Sequence, residues 1–268
     1  MPAHNATLIE RQDLTNTLSI VKVRPDAGTV PPFHPGQFIR LGLPRPMTPE
    51  GAGGLRLSRP GRIRYTRRAY SIASAPTVTD HMEFFVVRIE AGALTPRLWE
   101  LAVGERLWMD SEAKGEFSLD VAPPDKDAVM VSTSTGIAPF MSMLRTYRGQ
   151  GRWRRLVLIN GVRRAADFGY RAEMEAIARD DPSLVYVPLV TREPVGAAWT
   201  GLRGRVQTVL EPETYRRVVG APLDPAECHV FLCGNPDMID DVQKLLESRG
   251  FVTDSRAGRG NIHFERFW

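Results

Sequence analysis

The chain has 268 residues, which suits about two domains of ordinary size. Hydrophobic residues at 43% and charged residues at 25% match a globular protein with a packed core, and no apolar run approaches the ~18 residues of a membrane-spanning helix. The net charge of +4 comes with only two cysteines, Cys228 and Cys233, too few for a disulfide framework or for cysteine ligation of an iron–sulfur cluster.

A reducing compartment is therefore expected, and any redox centre must be organic or supplied by a partner. The start, Met1-Pro2-Ala3-His4-Asn5-Ala6, has no basic region followed by an apolar run, which argues against a secretory signal. Arginine dominates the basic residues, and its planar fork suits phosphate and carboxylate partners.

In chain order, residues 6–10, 17–24, 37–43, 68–73, 82–89 and 106–109 are short runs of β-branched or alternating apolar residues between proline and glycine turns. Such punctuation predicts the strands of a small antiparallel barrel. Residues 94–99 form the one helix-like stretch among them, with Thr95 suited to the N-cap and Pro96 to the first helical position. Residues 44–67 fit no strand pattern. They carry Arg45, Arg56, Arg59, Arg62, Arg64 and Arg67 against one acid, Glu50. They read either as a solvated surface insertion or as a basic lip for docking a partner.

The composition shifts at residues 120–127, where Val121-Ala122-Pro123-Pro124-Asp125-Lys126 reads as a linker. Beyond it, apolar strands at 128–132, 155–160, 184–190 and 230–233 alternate with helical segments at 138–148, 170–179, 206–210 and 236–249. That alternation predicts a parallel sheet wound by crossover helices. The expected division is a barrel domain over 1–122 and an α/β domain over 123–268.

Four segments carry the candidate chemistry. Arg68-Ala69-Tyr70-Ser71 lies on a predicted strand, so Arg68 and Tyr70 share one face and Ser71 the other. Taken alone, it is a packing tyrosine beside a solvated arginine. Ser134-Thr135-Gly136-Ile137-Ala138-Pro139 follows Ala128-Val129-Met130-Val131 as a strand–turn–helix of dinucleotide-binding type, although a lone Gly136 is a weak signal.

A site selecting NAD wants an acid after the next strand, for the ribose 2′-hydroxyl. Here that strand leads to Arg163 and Arg164, the following one to Arg192, and Arg203 and Arg205 come after Thr200-Gly201. Arginines at successive strand ends suit a 2′-phosphate, though each alone reads as a surface residue. Cys233-Gly234-Asn235-Pro236-Asp237-Met238 opens a helix after an apolar strand, and Gly234 leaves room there for a planar ligand. Cys228 reads as a buried small hydrophobe. The chain ends Glu265-Arg266-Phe267-Trp268.

In this order and at these separations the four segments resemble the ferredoxin (or flavodoxin)–NADP⁺ reductase family, in the bacterial branch that ends in tryptophan, over nearly the whole chain. The resemblance implies an antiparallel Greek-key β-barrel for FAD, followed by a parallel five-stranded Rossmann-like α/β domain for NADP. It gives Arg68 the FAD pyrophosphate, Tyr70 one face of the isoalloxazine and Ser71 a hydrogen bond near N5. Ala69, Val87, Ile89, Ala93, Leu94, Thr95 and Thr133 complete the implied FAD contacts, and Trp268 covers the flavin face opposite Tyr70.

For NADP the resemblance implies Thr135, Gly136, Arg163, Arg164, Arg192, Cys233, Gly234, Asn235, Asp237 and Met238. Arg203 and Arg205 compete for one further role, because Gly201-Leu202-Arg203-Gly204-Arg205 permits two registers. Family members carry Gly-Thr-Gly where this chain has Ser134-Thr135-Gly136. Ser71, Cys233 and Glu265 are the implied residues around hydride transfer.

The implied partner is a small acidic ferredoxin or flavodoxin, with no metal, nucleic acid or membrane, for a cytoplasmic monomer. The alternatives are an NADPH-dependent flavin or oxygenase-component reductase, and a nucleotide-binding regulator without turnover.

Overall fold

The computed structural model describes residues 4–45, 64–255 and 258–266. Arg56, Arg59 and Arg62 of the expected insertion lie outside them, as does Trp268.

The first half builds six antiparallel strands: β1 (Ala6–Asp13), β2 (Leu18–Pro25), β3 (Phe38–Pro44), β4 (Tyr65–Ser71), β5 (Met82–Val87) and β6 (Arg106–Met109). Their order is β4-β3-β6-β1-β2-β5, a Greek-key arrangement in which β6 inserts between β3 and β1. Past the end of β4, Ala73 N–H donates to the Glu83 carbonyl of β5 at 2.8 Å and draws the two outer strands together. Alternate residues turn inward, so Ile39, Leu41, Val23, Phe84, Leu107 and Met109 fill the interior.

Two local expectations change here. Thr95 is not the N-cap of helix α1 (Thr95–Glu100); Leu94 holds that position. The Thr95 hydroxyl instead accepts from Ile89 N–H at 3.0 Å and reaches the Ile89 carbonyl at 3.2 Å, tying the loop after β5 to the helix start. Arg67 is no free charge at the rim of an insertion. It belongs to β4, and its guanidinium lies 3.6 Å from the ring centre of Trp108 and 5.1 Å from that of Tyr65.

The second half holds β7 (Asp127–Thr133), α2 (Ala138–Tyr147), β8 (Arg155–Val162), α3 (Arg171–Asp180), β9 (Leu184–Val190) and β10 (Leu202–Arg203). It continues with α4 (Val206–Leu210), α5 (Pro212–Val219), β11 (Cys228–Cys233), α6 (Pro236–Glu247) and β12 (Ile262–Glu265). All pairings are parallel, in the order β10-β9-β8-β7-β11-β12.

The sheet has six strands where the resemblance implied five. The two-residue β10 and four-residue β12 are too short to leave a periodic signal, and they exist because a paired neighbour supplies their hydrogen bonds. In the central β7, Ala128 and Met130 pack on the α2 side while Val129 and Val131 pack on the α6 side. Coverage on both faces explains its unbroken apolar run. The direction of strand addition reverses between β7 and β11, which is where such sheets open a crevice at their carboxyl ends.

The two halves share one core. Leu18, Ile20, Ala73, Phe85 and Phe117 of the barrel side cluster with Phe140, Met143, Tyr170 and Phe231. The Phe117 ring lies 5.7 Å from Phe140 and 6.0 Å from Phe231.

A polar clamp crosses the same seam. Arg145 of α2 donates to Glu173 of α3 through two bonds of 2.7 Å, to Glu83 of β5 at 2.7 Å and to the Ala73 carbonyl at 2.9 Å. Tyr170 donates to the same Glu83 at 3.1 Å, and Ser142 to the Ser74 carbonyl at 2.7 Å. Burial opposes the Arg145 charge, but its bonds to Glu173 and Glu83 outweigh that and its pKa is raised.

Phe231 has no exposed surface and packs between Phe117 and His263, whose ring centre is 4.7 Å away. Phe231→Ala should therefore cost about 3–5 kcal/mol, the usual penalty for emptying a rigid aromatic site. A fall in the urea midpoint checks this; an unchanged midpoint would mean that the seam collapses to fill the gap.

Candidate active site

Two glycine-dependent turns meet at the carboxyl ends of β7 and β11. A Cβ on Gly136 would stand 2.2 Å from the Cys233 carbonyl oxygen and 2.6 Å from the Gly234 Cα. Gly234, at φ +139°, would put its own Cβ 2.3 Å from the Thr133 hydroxyl. No side chain fits at either position, so both glycines are needed for backbone-to-backbone packing before any ligand is considered. The Thr133 hydroxyl accepts from Asn235 N–H at 2.9 Å, and the Asn235 side chain accepts from Met238 N–H at 3.2 Å, capping α6. Ser134 adopts φ +50°, a left-handed conformation that glycine takes with least strain. Thr135 is half-buried in the turn between them.

Cys233 and Glu265 are register partners across β11 and β12. Burial drives the Cys233 thiol well above its ordinary pKa, with Glu265 adding to the rise, so it stays a neutral thiol. Burial also pushes the Glu265 carboxyl up to about 8, and its Oε2 is buried without a partner among the described residues. Its other oxygen approaches Gly115, on the barrel side: a Cβ there would sit 3.3 Å from it.

On β4, Tyr70 and Arg68 register with Ile39 and Leu41 on one side, and Ser71 with Phe38 on the other. The Tyr70 ring sits edge-on to Phe84, with centroids 6.4 Å apart. Its hydroxyl is buried with no partner among the described residues, and burial raises its pKa. Arg68 is exposed and Ser71 buried.

The candidate 2′-phosphate arginines follow three adjacent strand ends. Val162, Val190 and Arg203 lie in register across β8, β9 and β10, which brings Arg163, Arg164, Arg192 and Arg205 out at one edge. These four make no ion pair among the described residues. Arg203 differs: it donates to the carbonyls of Glu193 at 2.7 Å and Pro194 at 3.3 Å, bracing the loop after β9. Glu193 in turn accepts from Ala165 N–H at 2.6 Å, and Arg192 N–H donates to the Arg163 carbonyl at 2.8 Å.

Residues 130–244 match the family model of the oxidoreductase NAD-binding domain. A flavodoxin/ferredoxin–NADP reductase of Escherichia coli (strain K12) is 34% identical over 239 residues, 88% of each chain. The chain belongs to the ferredoxin/flavodoxin–NADP reductase family. Ferredoxin–NADP reductase B of Sorangium cellulosum is 36% identical, over 88% of this chain and 85% of its own. A crystal structure of a ferredoxin NADP⁺ reductase from Neisseria gonorrhoeae with bound FAD and NADP matches all of this chain at TM-score 0.81 and 26% identity. The protein is thus an oxidoreductase built as a barrel plus a Rossmann-like sheet.

Several expected contacts of this reductase take a more limited form. Leu94 and Met238 bury their side chains in the barrel core and beneath α6 respectively, so only their backbone is left to face a ligand. Ala69 and Val87 are half-buried, while Ile89, Ala93 and Asp237 are exposed. Glu193 and the Arg145 clamp carried no sequence signal. An acid next to Arg192 reads as incidental, and an arginine near a helix end reads as solvated, until the fold supplies their partners. Among the described residues no group of three or more His, Cys, Asp or Glu is placed to hold a metal, and no helix is long and apolar enough to cross a membrane.

The Glu265 shift has a definite sign. An ordinary carboxyl releases its proton near 4.5, whereas Glu265 holds it to about 8, so between those values the folded state carries the extra proton. The resulting contribution to stability is full below the unfolded value and is lost as pH rises through the folded one. Glu265→Gln keeps the shape without the titration. Thermal midpoints measured from pH 5 to 9 should fall less steeply in the variant; parallel profiles would show that Glu265 titrates as an ordinary carboxyl.

Proposed function

We propose that residues 1–122 hold FAD, that residues 123–268 hold NADP(H), and that the protein exchanges hydride with the nucleotide and single electrons with a ferredoxin or flavodoxin. The observation that carries the nucleotide assignment is the set of four unpaired arginines, Arg163, Arg164, Arg192 and Arg205, beyond three aligned strand ends. In the same domain Arg152, Arg154, Arg155 and Arg171 are all ion-paired. Arginines left without partners at a sheet's carboxyl edge suit a 2′-phosphate. Arg203 is committed to the Glu193 and Pro194 carbonyls, so Arg205 takes the phosphate and Arg203 braces the loop.

The residues present also suit a flavin. The buried, unpartnered Tyr70 hydroxyl and the unpartnered Glu265 Oε2 each want a hydrogen-bonding group, and Arg68 stands exposed one step along the strand face for a pyrophosphate. FAD, when bound, supplies a centre that accepts electrons in pairs and releases them singly. The chain supplies the rest. Tyr70 offers a ring face, Ser71 a hydroxyl, and Glu265 a carboxyl that still holds its proton at pH 7. Cys233 stays a neutral thiol that shapes the space for the nicotinamide. The small carrier is acidic, and the enzyme works as a cytoplasmic monomer.

The purified protein should be yellow, bleach with NADPH under anaerobic conditions, and pass electrons to a ferredoxin or flavodoxin. A colourless protein, or one that NADPH leaves oxidised, would end this reading. Within it, Arg205→Ala should raise KM for NADPH about 10–100-fold, the range for one lost charge-assisted bond, and leave KM for NADH nearly unchanged. Arg163→Ala with Arg192→Ala should act the same way. Arg203→Ala should shift both nucleotides modestly and alike. Equal losses for both nucleotides in Arg205→Ala would remove it from the 2′-phosphate.

A further inference from the structure

We propose that Arg145 is a positioning residue for hydride transfer, acting through the backbone that follows the flavin strand. Arg145 and Ser142 lie one turn apart on α2 and grip consecutive carbonyls, Ala73 and Ser74. Ala73 stands two residues after Ser71. At its other end α2 begins at Ala138, directly after the turn that holds Thr135 and Gly136. About two turns of one helix therefore separate the grip on the flavin strand from the nucleotide turn. No other helix in the described residues donates side chains to both of those carbonyls.

The clamp is built for direction as well as strength. The Arg145 fork is bidentate to Glu173 and its remaining nitrogen is shared between Glu83 and the Ala73 carbonyl, so all three partners fix its plane. Glu83 is 8% exposed and also accepts from Tyr170, whose ring lies 5.2 Å from the guanidinium carbon. Its backbone carbonyl accepts from Ala73 N–H, so Ala73 is held by Glu83 at its N–H and by Arg145 at its carbonyl. Removing Arg145 leaves a buried carboxylate facing Glu173 and frees the Ala73 carbonyl, so the segment after Ser71 keeps only the Ser142 bond to Ser74 and apolar packing as its ties to α2.

Hydride crosses only when donor and acceptor atoms approach to about 3–3.5 Å, and a misplacement of about 1 Å costs on the order of 10²-fold in rate. The proposal rests on the FAD and NADP reading above and adds to it that the approach is set at this remote clamp.

The test is single-turnover reduction of the FAD-loaded enzyme by NADPH, with the flavin–nicotinamide charge-transfer absorbance and NADP⁺ affinity measured alongside. Arg145→Met should slow reduction by about 10–100-fold and weaken the charge-transfer band, with NADP⁺ affinity within about twofold. Arg145→Lys, which keeps a charge for Glu83 but loses the fork to Glu173, should restore part of the rate. Oxidation of the dithionite-reduced enzyme by ferricyanide should match wild type in both variants, since that step needs no nucleotide.

If Arg145→Met shows the wild-type reduction rate and charge-transfer band, Arg145 is only a weld between the domains and the proposal fails, whatever the loss in thermal midpoint. If the Met variant does not yield folded enzyme, Ser142→Ala decides: a several-fold slower reduction supports the proposal and an unchanged rate overturns it. A wild-type enzyme that NADPH does not reduce is a failure of the functional reading instead.

Discussion

The barrel and the parallel sheet are held to each other by a shared apolar seam, and the rest of the molecule depends on it. Phe117, Phe140 and Phe231 interlock there without exposed surface to speak of. A seam packed to that density does not slide, because any displacement opens voids that lose contact on both sides. Chemistry that must bring two bound cofactors within atomic reach is served by such rigidity. The polar clamp inside the seam adds what apolar contact lacks, a preferred direction, because a fork bonded to three fixed acceptors tolerates little rotation.

At the crevice, the same economy of space governs the glycines. Gly136 and Gly234 let the β7 and β11 turns touch through their backbones, with Thr133 bonded across to Asn235. The two turns thus form one unit. Ser134 accepts a left-handed backbone inside that unit, a local strain which the surrounding contacts outweigh. Beside it Glu265 is kept neutral by burial alone, for no nearby charge raises its pKa. A neutral carboxyl next to a neutral thiol leaves the paired ends of β11 and β12 weakly charged, while the arginine edge a few strands away is strongly positive.

Much of the fold was legible in the chain itself. Alternating residues such as Ile39 and Leu41 announce half-buried strands, and the unbroken run Ala128-Val129-Met130-Val131 announces a strand covered on both faces. Cys233 before Gly234 and the arginines after successive apolar runs stand at strand ends in the structure, as the pattern places them. Thr95 misled, since threonine before proline suits an N-cap by local rules. Its hydroxyl was taken instead by Ile89, a partner that exists only once the loop folds back. Arg67 misled in the same way, as its stacking surface on Trp108 comes from a strand 41 positions further on, reached across Gly42 of the intervening β3.

The sequence by itself determined the periods, the turns and the order of the four motifs, because those are set by residues within a few positions of one another. Only the tertiary structure decided which arginine is free and which is spent. Arg203 and Arg205 are equivalent as sequence, and differ because one strand end leaves the Glu193 carbonyl within reach of Arg203. Only the tertiary structure placed Glu83 against Arg145 across 62 positions, and raised Glu265 to a pKa of about 8 by burying it. Burial and long-range charge pairing are properties of the packed chain, and no local pattern encodes them.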